Sequence, residues 1–357
     1  MPIPIATSAG KIDSALFDSI IRPKLGRRRA ELVVPPASGL DVGVIDIGNG
    51  NVLVTTTDPF FVWPDYGWER SAWFAVHIIA SDCATSGLAP QYMTIDLNLP
   101  LTMSRDDLAA LWTGVHQECD KLGIAIVTGH TGVYDNCAYP MIGSATIMAI
   151  GSKESYVTPA MATEGDHVIV TKGAAIETTA LLGVAHYDYV SAQLGSKTAD
   201  QARDLFWKLS VVDDALTAAS VGVRGDGVTG MHDATERGLW GALFEVAQAS
   251  NTGIDIYKEK ILLPPAVREV CALYNIDPYS SSSEGSLVIT CRSHKSSEVI
   301  SRLADRDISA TVIGELCPAE KGCWVHEGSS KRELTYPERD PFWEAFTRNT
   351  ATGKYGR

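Results

Sequence analysis

No stretch of this chain approaches the roughly 20 consecutive apolar residues that a membrane-spanning helix needs. Its first residues, MPIPIATSAGKID, have neither the charged start nor the apolar core of a signal peptide. Positive charge is scarce. Lys and Arg number 30 against 43 Asp and Glu, a formal net charge of −13. That balance argues against a general nucleic-acid or acidic-membrane binder, while leaving room for a local basic patch around an anionic ligand. The only basic run, Arg27-Arg28-Arg29, is too short for a nucleic-acid arm and reads first as a solvated turn. Cysteine pairing is missing as well. The seven cysteines, at 83, 119, 137, 271, 291, 317 and 323, form no CxxC, and the step from Cys317 to Cys323 matches no standard zinc spacing. They are expected to be reduced, mostly buried thiols of a cytoplasmic protein. The phosphate-binding signature GxxxxGK[ST] is absent, as are repeats and low-complexity tracts.

What is present is ordinary globular material in quantity. The chain has 357 residues, 45% hydrophobic and 20% charged, which exceeds the length at which a single core usually stops growing. A helix is expected over 12–25, broken by Pro35-Pro36. β-rich runs at 42–46 and 52–56 flank Gly48-Asn49-Gly50-Asn51, a hairpin signal. Apolar residues at helical spacing over 69–86 stop at Gly87 and Pro90. Residues 92–99 alternate as a half-buried strand does. Ser104 to Asp107 is a capping-box start for a helix that runs to Lys121 and ends at Gly123. Strands at 124–128 and 141–150 close a first α/β unit, and the polar stretch 153–166 marks the expected boundary. Beyond it come a strand at 167–171, helices at 176–185, 200–221, 238–250, 265–274 and 295–305, and strands at 286–292 and 308–315. The expected fold class is α/β (α+β) in two domains, 1–155 and 156–345, with a polar tail at 346–357.

Three aspartates sit where chain elements end: Asp41 just before a strand, Asp58 at the end of Val-Leu-Val-Thr-Thr-Thr, and Asp82 in the last turn of a helix. A carboxylate in a last turn opposes the helix dipole. A carboxylate on the apolar 72–80 helix needs a partner. Each of Asp41 and Asp58 reads alone as a turn residue or as a metal contact. Together the three suit a hard cation held with the oxygens of a phosphate chain, as Mg²⁺ often is. Gly39 before Asp41 permits close backbone approach. In Val127-Thr-Gly-His-Thr-Gly132 a strand runs into a loop where Gly129 admits a phosphate and His130 is either an acid/base or a plain hydrogen-bond donor. Gly225 to Gly238 reads as a glycine-rich turn, with Asp233 and Thr235 either capping the next helix or forming an anion site. Glu284, in the serine loop 280–285, is either a ligand or base or part of a solvated turn.

Taken in order, these segments resemble the AIR synthase (PurM-like) superfamily, closest to its hydrogenase-maturation, HypE-like branch. The matching residues are Gly10-Lys11-Ile12-Asp13, Gly39-Leu-Asp41, Thr57-Asp58-Pro59, Ser81-Asp82 with Ser86-Gly87-Leu-Ala-Pro90, Gly129-His130-Thr131, Thr171-Lys172-Gly173, His232-Asp233-Ala-Thr235 with Gly238, and Ser283-Glu284-Gly285. The resemblance implies an N-terminal mixed sheet that pairs with a second copy to form a homodimer, and a C-terminal α/β domain. It implies ATP between the halves, with Mg²⁺ on Asp41, Asp58 and Asp82. Lys11, Gly39, Gly129, Thr131 and Lys172 would contact the nucleotide, and Asp233, Glu284 and His130 would be catalytic, the first two on the acceptor side. The shared chemistry is activation of an oxygen by ATP, on a carbonyl-like group or on a small acceptor as in the thiamine-phosphate and ribazole kinases. A non-catalytic nucleotide-binding maturation partner is the other alternative. Two departures leave the acceptor open: the sequence ends Lys354-Tyr-Gly-Arg357 without the terminal cysteine of the HypE branch, and it reads Gly129-His130-Thr131 where that branch has GDTK.

Overall fold

The computed structural model describes residues 10–12 and 14–350. The expectations placed on Asp13, on the first nine residues and on 351–357 lie outside the described residues. Six strands form the first sheet: β1 (Leu32–Val34), β2 (Gly43–Gly48), β3 (Asn51–Phe61), β4 (Tyr92–Pro100), β5 (Ala125–Tyr134) and β6 (Met141–Ser152). Their order is β1-β2-β3-β6-β4-β5. All neighbours are antiparallel except β4 and β5, which run parallel. The β2–β3 connection turns at Gly48–Asn51, as the glycines there suggest.

Strand alternation decides what this sheet does. Met93, Ile95, Leu97 and Leu99 of β4 and Ile142, Ala145, Ile147 and Ala149 of β6 are buried against helices Trp68–Ala84 and Arg105–Leu122. The second of these starts with the expected capping box, Ser104 with Asp107, and ends on Gly123 in the left-handed conformation, φ +73°. The opposite face carries Thr94, Asp96, Thr146 and the exposed apolar side chains of Ile47, Tyr92 and Ile150. Two local expectations change. β3 does not stop at Asp58: a register shift between Pro59 and Phe61 carries the ladder through the proline to Phe61. Residues 129–132 are not a loop after β5 but its middle, paired with Ile95 to Asn98 of β4.

The second sheet holds β7 (His167–Thr171), β8 (Val228–Ala234), β9 (Gly253–Tyr257), β10 (Ser286–Cys291), β11 (Ala310–Cys317), β12 (Cys323–Glu327) and β13 (Ser330–Glu333), in the order β13-β12-β9-β11-β7-β10-β8. β8 lies inside the segment read as a glycine-rich turn. It is buried along its whole length, so its small residues pack a strand and do not open a loop. The single helix expected at 200–221 is three pieces, Ser196–Asp204, Leu205–Lys208 and Val212–Ala219. The break is where the lobes dock: the Val211 amide donates to Ser81 Oγ at 2.9 Å. Short β9, β12 and β13 carry too few residues to announce themselves by alternation.

One core runs through both sheets, from Val42 and Ile79 to Val211, Met231, Ile289 and Ile308. The seven cysteines are free thiols, five of them buried. Among the described residues no helix is long and apolar enough to cross a membrane. Phe60 is fully buried in the shared core. Phe60→Ala is expected to lower stability by about 3–5 kcal/mol, read as an earlier urea midpoint with unchanged slope.

Candidate functional site

Asp41, Asp58, Asp82, Asp233 and Glu284 converge where the two sheets meet. Asp41 stands in the loop before β2. Asp58 lies on β3 in phase with Val54, Thr56 and Phe60, which face the helices. Asp82 ends the Trp68–Ala84 helix and accepts from Thr56 Oγ1 at 3.0 Å. Asp233 is on β8, and Glu284 is in the loop before β10; both are buried.

Their electrostatics show how closely they crowd. Burial, then repulsion from Asp233, Asp58 and Asp41, holds the Asp82 carboxyl well above its ordinary range. Burial, with Glu236 and Asp41 outweighing Lys11, lifts Asp58 to about 6. Asp233 rises to about 7 through burial and Asp41, against His232 and Lys11. Glu284 is raised by burial, then by Asp233, Glu177, Asp82 and Asp58. Glu177, half-buried beside them on the Ile176–Ala185 helix, is lifted to about 8 by desolvation and Glu236. Asp233 Oδ2 and Glu284 Oε1 are buried with no hydrogen-bond partner. Buried oxygens of this kind are costly unless something positive meets them.

Positive charge is built in. His232 Nδ1 lies 2.7 Å from Asp41 Oδ1, and its Nε2 lies 2.9 Å from Glu245 Oε2. With a carboxylate on each ring nitrogen, both nitrogens donate and the ring is an imidazolium. Burial opposes that charge, but Asp41 and Glu245 raise the His232 pKa to about 10. Glu245 falls to about 2 in spite of burial, because His232 donates to it and Lys11 lies nearby. Tyr336 Oη donates to Glu245 Oε1 at 2.9 Å, and Lys11 Nζ sits 3.7 Å from the same oxygen.

A cation fits the acidic oxygens. Ligand atoms of Asp41, His232 and Asp233 lie within 4.8 Å of one another. The imidazolium cannot ligate, so the oxygens of Asp41, with those of Asp58 and Asp82 close by, would form the donor set. All are hard oxygens, which suits Mg²⁺.

Other expected residues stand elsewhere. Gly39, at φ +76°, makes a close approach not to a ligand but to the Gly238–Ser250 helix, where an added Cβ would come 2.7 Å from the Glu245 carbonyl oxygen. Lys172 Nζ donates to Ser210 O at 2.8 Å and Asp214 Oδ2 at 2.9 Å, so its charge is spent on a buried pair. Gly129, His130 and Thr131 lie on edge strand β5. An added Cβ on Gly129 would meet the Ile95 carbonyl oxygen at 2.2 Å, so its smallness serves strand pairing. His130 bonds Tyr134 Oη at 2.7 Å and lines a hollow of about 150 Å³ with Thr94, Asp96, Ser144 and Thr146. That hollow opens on the sheet face opposite the carboxylates, so a single copy does not bring His130 to them. His232 was named only within the matching motif, and Glu245 and Glu177 were missed by sequence reasoning. Yet Glu245 is the one charge on an apolar helix and Glu177 stands alone on another, the signal that singled out Asp82.

The comparisons identify the family and the fold. The chain matches the family model of the AIR synthase related protein N-terminal domain over residues 39–151 and that of its C-terminal domain over residues 163–323. It belongs to the AIR synthase related, PurM-like family, close to its HypE members. A protein named for hydrogenase expression and formation in Methanocaldococcus jannaschii is 24% identical over 341 residues, covering 94% of this chain and 96% of the relative. Carbamoyl dehydratase HypE of Escherichia coli is 26% identical over 336 residues, covering 92% and 93%. A crystal structure of hydrogenase maturation protein HypE in complex with ATP aligns with a TM-score of 0.65 at 18% identity, over 94% of this chain and 97% of that one.

The His232 network sets a pH signature. His232 is raised, so its contribution is complete below about pH 6.5 and is lost as pH climbs towards 10. Glu245 is lowered, so its contribution is complete above about pH 4.5 and is lost as pH falls towards 2. Glu245→Ala is expected to cost about 3–5 kcal/mol, with the gap to the unaltered protein widest between pH 4.5 and 6.5. Urea midpoints at pH 5.5 and 9.5 read it, and a gap that does not narrow at 9.5 contradicts the assignment.

Proposed function

We propose that this protein is a Mg-dependent, ATP-using enzyme of HypE-like type that activates an oxygen of a small, carbonyl-like acceptor. The observation that carries the reading is the set of crowded carboxylates, with Asp233 Oδ2 and Glu284 Oε1 buried and unpartnered. Such a set in its charged form is costly unless a positive ligand meets it. The cation that accompanies ATP is that ligand, as the similarity to a HypE that binds ATP supports.

In this reading Asp41, Asp58 and Asp82 hold the cation. Bound there, Mg²⁺ neutralises the charge that builds on the phosphoryl group. His232, braced by Glu245, fixes the direction of Asp41, and Thr56 fixes that of Asp82. Lys11 and Arg237 stand at the rim, joined through an Arg237 Nη2 bond to the Lys11 carbonyl, and supply positive charge for the phosphate chain. Asp233 and Glu284 face the acceptor. The acceptor's proton has a nearby destination there, since both carboxyls are raised towards neutrality. A second copy docks on the open face of the first sheet, over Ile47, Tyr92 and Ile150, and brings His130 out of solvent.

Four outcomes are expected. Asp82→Asn weakens Mg-ATP binding at least about tenfold, roughly 1.4 kcal/mol; unchanged calorimetric affinity refutes the cation site. Cation affinity falls between pH 7 and pH 5, because Asp58 near 6 takes up a proton that competes with the metal. Asp233→Ala keeps ATP binding and loses turnover, whereas a loss of folding makes Asp233 structural. Light scattering at micromolar concentration gives a dimer, and a monomer rules out the docked face.

A further inference from the structure

Glu284 belongs to a loop that is buried throughout, from Ser281 to Ser286. Its backbone is tied on one side: the Glu284 amide donates to Glu177 Oε2 at 3.1 Å, the Ser283 amide to the Thr235 carbonyl at 3.2 Å, and Ser283 Oγ accepts from the Ala175 amide at 2.8 Å. The other side is tied by one residue far along the chain. Asp340 Oδ2 accepts from Ser282 Oγ at 2.7 Å and from the Arg237 amide at 2.8 Å. Asp340 Oδ1 accepts from the Ser282 amide at 3.3 Å, from Ser281 Oγ at 3.5 Å and from the Phe342 amide at 2.9 Å.

Only the last of these bonds serves the Pro341–Thr350 helix that Asp340 precedes. The others run to the two loops that carry Glu284 and Arg237. A neutral cap such as Ser or Asn would satisfy a helix start equally well. A carboxylate here is costly, because its charge adds to the repulsion on Glu177. What a carboxylate offers instead is two oxygens with about four lone pairs, enough to meet donors arriving from three segments at once. The Glu284 carboxyl has an orphan oxygen, so its direction rests on the loop beneath it.

We propose that Asp340 is a positioning residue, a latch that holds the Ser281–Glu284 loop and Arg237 in register and so aims Glu284 at Asp233 and the acceptor. The docking of the C-terminal helix is thereby coupled to the acceptor side of the site. This rests on the reading of Glu284 as an acceptor-side group.

The test uses the full chain with Asp340→Asn, Glu284→Gln and the double variant. It reads Mg-ATP affinity by calorimetry, phosphate release from Mg-ATP with water as acceptor, and amide hydrogen exchange. Asp340→Asn is expected to keep ATP affinity within about twofold and to cut phosphate release by about 10–100-fold. Exchange should speed up at 237–238 and 281–285, while β10 keeps its protection. The double variant should be no slower than Glu284→Gln alone, since the latch acts through that side chain. Unchanged exchange at 281–285 overturns the latch. So does a double variant that loses the two effects additively, or a drop in ATP affinity in step with a lower melting temperature, which marks a plain structural cap. If Glu284→Gln releases phosphate at the unaltered rate, the reading of Glu284 itself falls. If Glu284→Gln is slow and Asp340→Asn is not, the latch alone falls.

Discussion

Carboxylates held out of water and close together repel, and that repulsion organises this molecule. Two unit charges 4 Å apart interact by about 4 kcal/mol at the effective dielectric of a partly buried site. Asp41, Asp58, Asp82, Asp233 and Glu284 accept such costs from several directions at once, which is why their carboxyls are pushed up together where shifts are resolved. The fold answers with the His232 imidazolium between Asp41 and Glu245 and with Lys11 beside Glu245. Two such cations cannot balance these acids, and Asp233 Oδ2 and Glu284 Oε1 stay unmet. The remaining charge is the ligand's to supply.

The secondary structure explains how the acids are delivered. The period of two along β3 sends Thr56 and Asp58 to the helix side of the first sheet, where Asp82 closes its helix. β8 and the loop before β10 are neighbours in the second sheet, so Asp233 and the approach to Glu284 arrive side by side. His232 then bridges the sheets: it is part of β8 and grips Asp41 from the first. Ser81 and Val211 make a second stitch between the lobes. The crowding of the acids and the docking of the lobes are thus set by the same few side chains.

Much of this was legible in the sequence, for definite reasons. Long periodic helices, the capping box at Ser104 and the alternation of 92–99 are local signals, and the structure repeats them. Asp82 stood out because a charge on an apolar helix needs a partner. The same argument applied to Glu245 and Glu177 would have exposed them. What escaped depends on contacts between distant segments. Glycine in β8 and at 129–132 looked like loop and proved to be close strand packing. The 200–221 pattern hid a break imposed by docking. Lys172 was assigned to the nucleotide by resemblance, and its pairing with Asp214, 42 residues away, was out of reach of local sequence reasoning. Asp340 carried no local signal at all, since four of its five bonds go to residues 58 or more positions distant.

The central claim is that these acids exist to hold a divalent cation together with a nucleotide. Titrating the protein with Mn²⁺ under electron paramagnetic resonance, with and without ATP, tests it most directly. The account predicts that each chain immobilises Mn²⁺ when ATP is present and that ATP binds weakly when the cation is chelated. Equal ATP affinity with and without the cation, or free Mn²⁺ at saturating ATP, would contradict it.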